Sequence, residues 1–137
     1  MQTLLKPEQA LIYAMIAVSA VDRSMSDAEL KRIGAMVREL PVFGKYDDTW
    51  LVDEARECGA LLAQEGGLRR VLDLVTAGLP EHLRETAYVL SAEVAISDRR
   101  IASEEIRFLD LLAEALSIDK LTCAALERAA SALQQKQ

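Results

Sequence analysis

Val18-Ser19-Ala20-Val21-Asp22-Arg23-Ser24-Met25 returns 76 residues later as Val94-Ala95-Ile96-Ser97-Asp98-Arg99-Arg100-Ile101, and this duplication decides how the chain is read. The match runs on into the segment that follows. Glu29 aligns with Glu105, Leu30 with Ile106, Lys31 with Arg107, Ile33 with Leu109 and Leu40 with Leu116. Each copy, about 11–40 and about 87–116, is an apolar run, an Asp-Arg turn, an apolar plug (Met25 or Ile101) and an amphipathic segment that opens with a glutamate.

Outward from these stretches, apolar residues recur at spacings of three and four, which predicts about seven helices near 7–21, 26–40, 48–65, 67–78, 80–97, 102–116 and 118–134. Pro7 and Pro80 stand where a first helical turn accepts proline, Gly66-Gly67 separates two helices, and Pro41 to Asp48 is a loop. The tail 134–137 is expected to fray. A helical hairpin cannot bury its apolar stripe alone. The expected architecture is therefore one all-α domain over 1–137, a compact bundle in which two pseudo-symmetric hairpins face each other and the middle helices close the core. Leu11, Met15, Val18, Ile33, Val37, Leu90, Val94, Leu109 and Leu112 are the expected core.

Bulk composition agrees. Ala and Leu dominate an apolar set that is 51% of the chain, with only three prolines and six glycines, which favours helices over strands. Sixteen basic residues against twenty-two acidic leave a net charge of −6, so nucleic acid is an unfavourable partner, and a cation or a basic protein surface a natural one. Cys58 and Cys123 have neither the spacing of a metal clip nor the density of a disulfide scaffold, and read as reduced core thiols. The apolar run from Leu11 to Val21 is too short to cross a bilayer. It also resembles a leader core behind Lys6, but Pro7 and Glu8 interrupt its entry and its counterpart later in the chain makes it part of the fold.

Asp22 and Asp98 each close a predicted helix, where unpaired carbonyls and the macrodipole already concentrate negative charge. Positive charge must answer them, from an arginine or a bound cation. Glu29 and Glu105, seven residues on, start the next helix, so a short turn brings aspartate and glutamate near each other. Two carboxylates ~4 Å apart repel by ~4 kcal/mol at an effective dielectric of ~20, a cost that a divalent ion reverses. Ser26-Asp27-Ala28-Glu29 is, however, also a capping box, which explains Glu29 without metal. The second copy has Ala102 at the cap position, so that explanation is weaker for Glu105. The spacing is not that of an EF-hand, so a hard cation would draw oxygens from both repeats, from backbone carbonyls or from water.

In these residues the chain resembles the TerB family of tellurite-resistance proteins, in which two copies of an apolar helix, an Ala/Ser-Asp-Gly turn and a helix opening with glutamate form one all-helical domain. The resemblance takes in Ala14 to Leu40, the middle helices, and Ala87 to Leu116 with the Leu116-Ser117-Ile118-Asp119 step. It implies a non-catalytic cytoplasmic stress-response protein, an acidic surface that binds a divalent metal such as Ca2+, and protein partners at the inner membrane. The family's acidic positions fall on Asp22, Glu29, Asp98 and Glu105. The glycine that follows the family's aspartate is Arg23 here and Arg99 in the second copy. An arginine beside each aspartate is a built-in substitute for the cation, which leaves a metal-free interaction module as the alternative.

No nucleophile with an oriented base, phosphate-binding glycine pattern or paired His/Cys ligand set stands out. Glu93, with His82 and Thr86, reads as a polar stripe on one helix. Phe43, Tyr46 and Trp50 gather by the loop and are expected to plug the bundle end, whereas exposure there would mark a partner surface. Arg69, Arg70 and Arg84 are a thin basic counterpart to the acidic turns.

Overall fold

Pro7 opens the first helix, α1 (Pro7–Ala20), and every residue from Ala10 to Ser19 is buried. A helix apolar on all sides belongs in the middle of a bundle. The computed structural model describes residues 4–21, 25–44, 46–97 and 103–136. Asp22, Arg23, Asp98, Arg99 and Ile101 lie outside the described residues.

The other helices are α2 (Asp27–Glu39), α3 (Leu51–Leu62), α4 (Gly67–Gly78), α5 (Arg84–Ser97), α6 (Ser103–Ala115) and α7 (Lys120–Leu133). Three short 3-10 turns, Pro41–Phe43, Asp48–Trp50 and Glu81–Leu83, precede or join them. The described residues form no strand, and no described helix is long and apolar enough to cross a membrane. The spacing of apolar residues placed the seven helices to within a few residues. The differences lie at the ends, where 48–50 and 81–83 tighten into 3-10 turns and α3 stops at Leu62.

Gly66 stops α3 from running into α4. It adopts φ +71°, a left-handed conformation that costs glycine little, and a Cβ on Gly67 would fall 1.8 Å from the Leu61 carbonyl oxygen. At two other chain reversals a side chain caps the helical turn that follows. Asp119 accepts the Thr122 amide at 2.8 Å at the start of α7, and Asp47 accepts the Thr49 amide at 3.0 Å ahead of α3.

The core is built on the pair α1 and α5, the apolar runs of the two repeat copies, which pack most extensively on each other. α3 and α4 cover another side of α1, α7 covers α5, and α6 rests on α5, α1 and α4. All nine expected core residues are buried, and with them Tyr88, Phe108, Leu72, Val71 and Leu116. Cys58 and Cys123 are buried free thiols. Gln134, the first residue of the expected tail, is held by side-chain bonds: Arg32 Nη2 donates to Gln134 Oε1 at 2.6 Å, and Gln134 Nε2 donates to Glu93 Oε1 at 3.4 Å. Glu93 thereby links α5 to the end of α7.

Candidate functional site

α2 begins where its sequence says it should. Ser26 Oγ accepts the Glu29 amide at 3.2 Å, and Glu29 Oε1 accepts the Ser26 amide at 3.0 Å, a reciprocal capping box. The second carboxylate oxygen of Glu29 is also engaged, by the Ser19 hydroxyl of α1 at 2.6 Å. The first hairpin is therefore closed by a three-residue relay, Ser19 to Glu29 to Ser26, whose charge-assisted hydrogen bonds span the turn. Its acidic member is a structural tie.

The second copy differs. The residue aligned with Ser19 is Ala95, which is fully buried and has no hydroxyl to give. Glu105 lies in the first turn of α6 and is only 8% exposed. A buried carboxylate at a helix N-terminus benefits from the positive end of the helix dipole, which a solvated one largely loses to screening. Of the four acidic residues singled out from the repeat, Glu29 and Glu105 are thus placed at equivalent helix starts, while Asp22 and Asp98 lie outside the described residues. Among the described residues, no group of three or more His, Cys, Asp or Glu side chains converges on one point as a metal site would.

The thin basic counterpart is dispersed. Arg69 pairs with Asp73 on the open surface of α4 at 3.5 Å, and Arg84 Nη1 donates to the Leu116 carbonyl at 3.3 Å. His82 is exposed on the turn before α5. Eleven residues along, about 16 Å at the helical rise, Glu93 is occupied with Gln134, so the two do not form an acid-base pair.

Next to the first turn lies an opening that periodicity could not disclose. α2 comes close to the start of α3, where a Cβ on Gly34 would stand 3.6 Å from Leu51 Cδ2 and where Arg38 pairs with Asp48 at 3.5 Å. Toward its N-terminus α2 diverges from α3: a Cβ on Gly59 would have nothing within 4 Å. The wedge between them is a groove of about 460 Å³. Ile16, Ala20 and Val21 of the first apolar run, Met25 and Leu30 of the α2 side, and Ala55 and Leu62 of α3 line it, with Asp27 and Arg56 at its lip. Met25, the apolar plug of the first repeat, is half-buried here and is one wall of the groove.

A second cluster was not singled out from sequence. Glu54 of α3 is 7% exposed, accepts Gln9 Nε2 of α1 at 2.8 Å through one oxygen, and has no hydrogen-bond partner for the other. Burial raises its pKa, and Glu57 nearby adds to the rise. Tyr46 faces the same region; its buried hydroxyl has no partner, and burial together with Glu54, Asp47 and Asp48 raises its pKa. Leu51, Glu54 and Cys58 share one face of α3 at spacings of three and four, so Glu54 occupies a core position of the helix. That register was its only signal in the sequence.

Comparison with protein-family models, with curated proteins and with solved structures returns no match for this chain.

Proposed function

We propose that the chain is a non-catalytic stress-response module of TerB type, which acts by holding a helix of a partner protein in the groove between α2 and α3. The groove is the observation that carries this reading: it is apolar, open and adjacent to the duplicated turn from which the family resemblance was drawn. The pseudo-symmetric relation of the two hairpins, a cytoplasmic location with contact to partners at the inner membrane, and a part in tellurite resistance belong to the same proposal and rest on the repeat.

For the first turn the metal-free form of this reading has a specific observation in its favour. Both oxygens of Glu29 already accept hydrogen bonds, so Ca2+ would have to compete with Ser19 and Ser26 for them. In that form Arg23 and Arg99 neutralise Asp22 and Asp98, and no divalent ion is needed.

Gly59 offers a clean test, because open space surrounds it. Gly59→Ala relieves a mid-helix glycine and leaves the groove open, whereas Gly59→Trp fills it. Expressed in a tellurite-sensitive bacterial strain, the parent chain and Gly59→Ala should raise tolerance and Gly59→Trp should not. Equal protection by all three would remove the groove from the function, and no protection by the parent would remove the tellurite reading. Calcium is decided separately: at about a hundredfold its Kd a specific ion adds about 2.7 kcal/mol of stability. A gain of that size, abolished by Asp22→Asn with Asp98→Asn, would replace the metal-free form with the cation-binding one.

A further inference from the structure

The aromatic step leading into α3 divides in two. Phe43 is buried and plugs the bundle end as expected, but Trp50 is 50% exposed. Trp50 is nevertheless held in place. Its ring meets Tyr46 edge to face, with centroids 5.5 Å apart and planes at 87°, and its amide donates to the Asp47 carbonyl at 3.0 Å. An exposed indole fixed in this way gives up little conformational entropy when a partner covers it.

The charges around it are one-sided. Residues 45–57 carry Asp47, Asp48, Asp53, Glu54 and Glu57 against two basic residues, Lys45 and Arg56. The Thr49 amide and hydroxyl, at 3.0 and 2.7 Å, hold the Asp47 carboxyl below its usual pKa and so keep it ionised. Arg56 reaches Asp53 only at 3.9 Å with both side chains 77% exposed, a pair that water screens heavily. Arg38 answers Asp48 from across the loop. Glu54, on the buried face of α3 with Leu51 and Cys58 and bonded to Gln9 of α1, takes no part in this surface.

We propose that Trp50, with Asp53 and Glu57 three and seven residues on along the same side of α3, is a docking surface for a basic segment of a partner protein, with an arginine stacked on the indole. The inference rests on the reading of the chain as an interaction module and adds the chemistry of the partner. Arginine fits better than lysine, because its planar guanidinium stacks on an aromatic face while still pairing with carboxylates. A neutral or acidic partner would strip water from Asp53 and Glu57 and return nothing. A second copy of this chain would set one net charge of −6 against another.

Trp50 is the only tryptophan in the chain, so intrinsic fluorescence reads this surface alone. The probe is a short synthetic peptide that alternates arginine and leucine. It should give a saturable spectral change that weakens as salt is raised. By calorimetry, Asp53→Asn with Glu57→Gln, and separately Trp50→Ala, should each weaken binding by about tenfold or more. Glu81→Gln with Glu85→Gln removes the same two charges elsewhere and should leave it unchanged, which separates this surface from the general attraction of an acidic protein. Overturning results are no saturable change, equal affinity for the peptide with glutamate in place of arginine, unaltered binding by Trp50→Ala, or a spectral shift with protein concentration alone, which would mean self-association. The peptide titration does not involve the groove, so its failure leaves the Gly59 result standing, and failure of the Gly59 test leaves the peptide result standing.

Discussion

The Ser19 hydroxyl and the Glu29 carboxylate, ten residues apart and on different helices, meet at 2.6 Å across the first repeat turn. Ser19 is buried and Glu29 partly so, and removal of the hydroxyl leaves Glu29 with one accepted bond fewer. Ser19→Ala should cost about 1.5–3 kcal/mol in urea unfolding, the range for a hydrogen bond to a charged group. Ser26→Ala, which removes only the cap, should cost about 1 kcal/mol. Because both hydroxyls act through Glu29, the double variant should cost less than the two added together. Strict additivity would mean that the relay is two unrelated contacts.

The same relay shows what sequence could and could not disclose. Helix positions follow from a period that each element repeats several times, so seven helices and the nine core positions were readable from spacing alone. Ser26 and Glu29 were readable as a capping box because the pattern is local. The bond from Ser19 depends on how the last turn of α1 faces the first turn of α2, and no local pattern encodes that angle. Glu54 was missed although it sits at a core register of α3, because one polar residue in an amphipathic run of 12 looks like an irregularity of the solvent face. Trp50 was assigned to the plug with Phe43. The 3-10 turns at 41–43 and 48–50 sort the two, burying one and exposing the other. The groove arises from the divergence of α2 from α3, a crossing angle that periodicity leaves undetermined.

Cys58 donates its thiol to the Tyr13 carbonyl at 3.8 Å, and burial, with Glu54 nearby, pushes its pKa up to about 12. The thiolate is the reactive species, so Cys58 should react with a thiol reagent at pH 8 no faster than the protein opens. Cys123 is buried less completely, and its pKa is also raised by burial. Labelling of the native protein followed by mass spectrometry should find Cys123 modified first and Cys58 modified only on addition of denaturant. Rapid labelling of Cys58 without denaturant would show that the α1–α3 contact opens readily.

Ser117 is the only non-glycine residue with positive φ, 57°, among the described residues. It ends α6 in a Schellman arrangement, with the Ile118 amide donating to the Ala113 carbonyl at 3.0 Å. A left-handed L-residue costs about 1–2 kcal/mol relative to a right-handed one, a cost glycine escapes. Glycine's greater freedom in the unfolded chain offsets part of the gain, so Ser117→Gly should stabilise by about 0.5–1 kcal/mol. Ser117→Val, β-branched at the same φ, should destabilise. Thermal melts of the pair check both signs, and a loss on Ser117→Gly would contradict the assigned cap.

Glu54 gives the bundle a dependence on pH opposite to that of its capping aspartates. Its pKa lies above the ordinary 4.5 in the folded protein because burial penalises the charged form, so folding favours the protonated acid. The stability it contributes is complete below about pH 4.5 and is lost as pH rises through the raised native value. Asp47 and Asp119 are depressed by their Thr49 and Thr122 hydrogen bonds, so their contribution is present above 3.8 and is lost as pH falls. Glu57 is the charged group near Glu54 that adds to the rise, and it is present in parent and variant alike. Tyr13 and Cys58 are raised to about 12 and Tyr46 is raised too, so all three stay neutral while Glu54 titrates, and Gln9 carries no charge. Glu54→Gln retains an oxygen for Gln9 and removes the ionisation. The variant should therefore be more stable than the parent at pH 8, and the difference should close as pH is lowered toward 4. Urea midpoints measured across that range decide it: a difference that stays constant would mean that folding leaves the Glu54 pKa unshifted, and one that widens toward acid would mean that Glu54 is ionised in the fold and stabilised by a cation that reaches it.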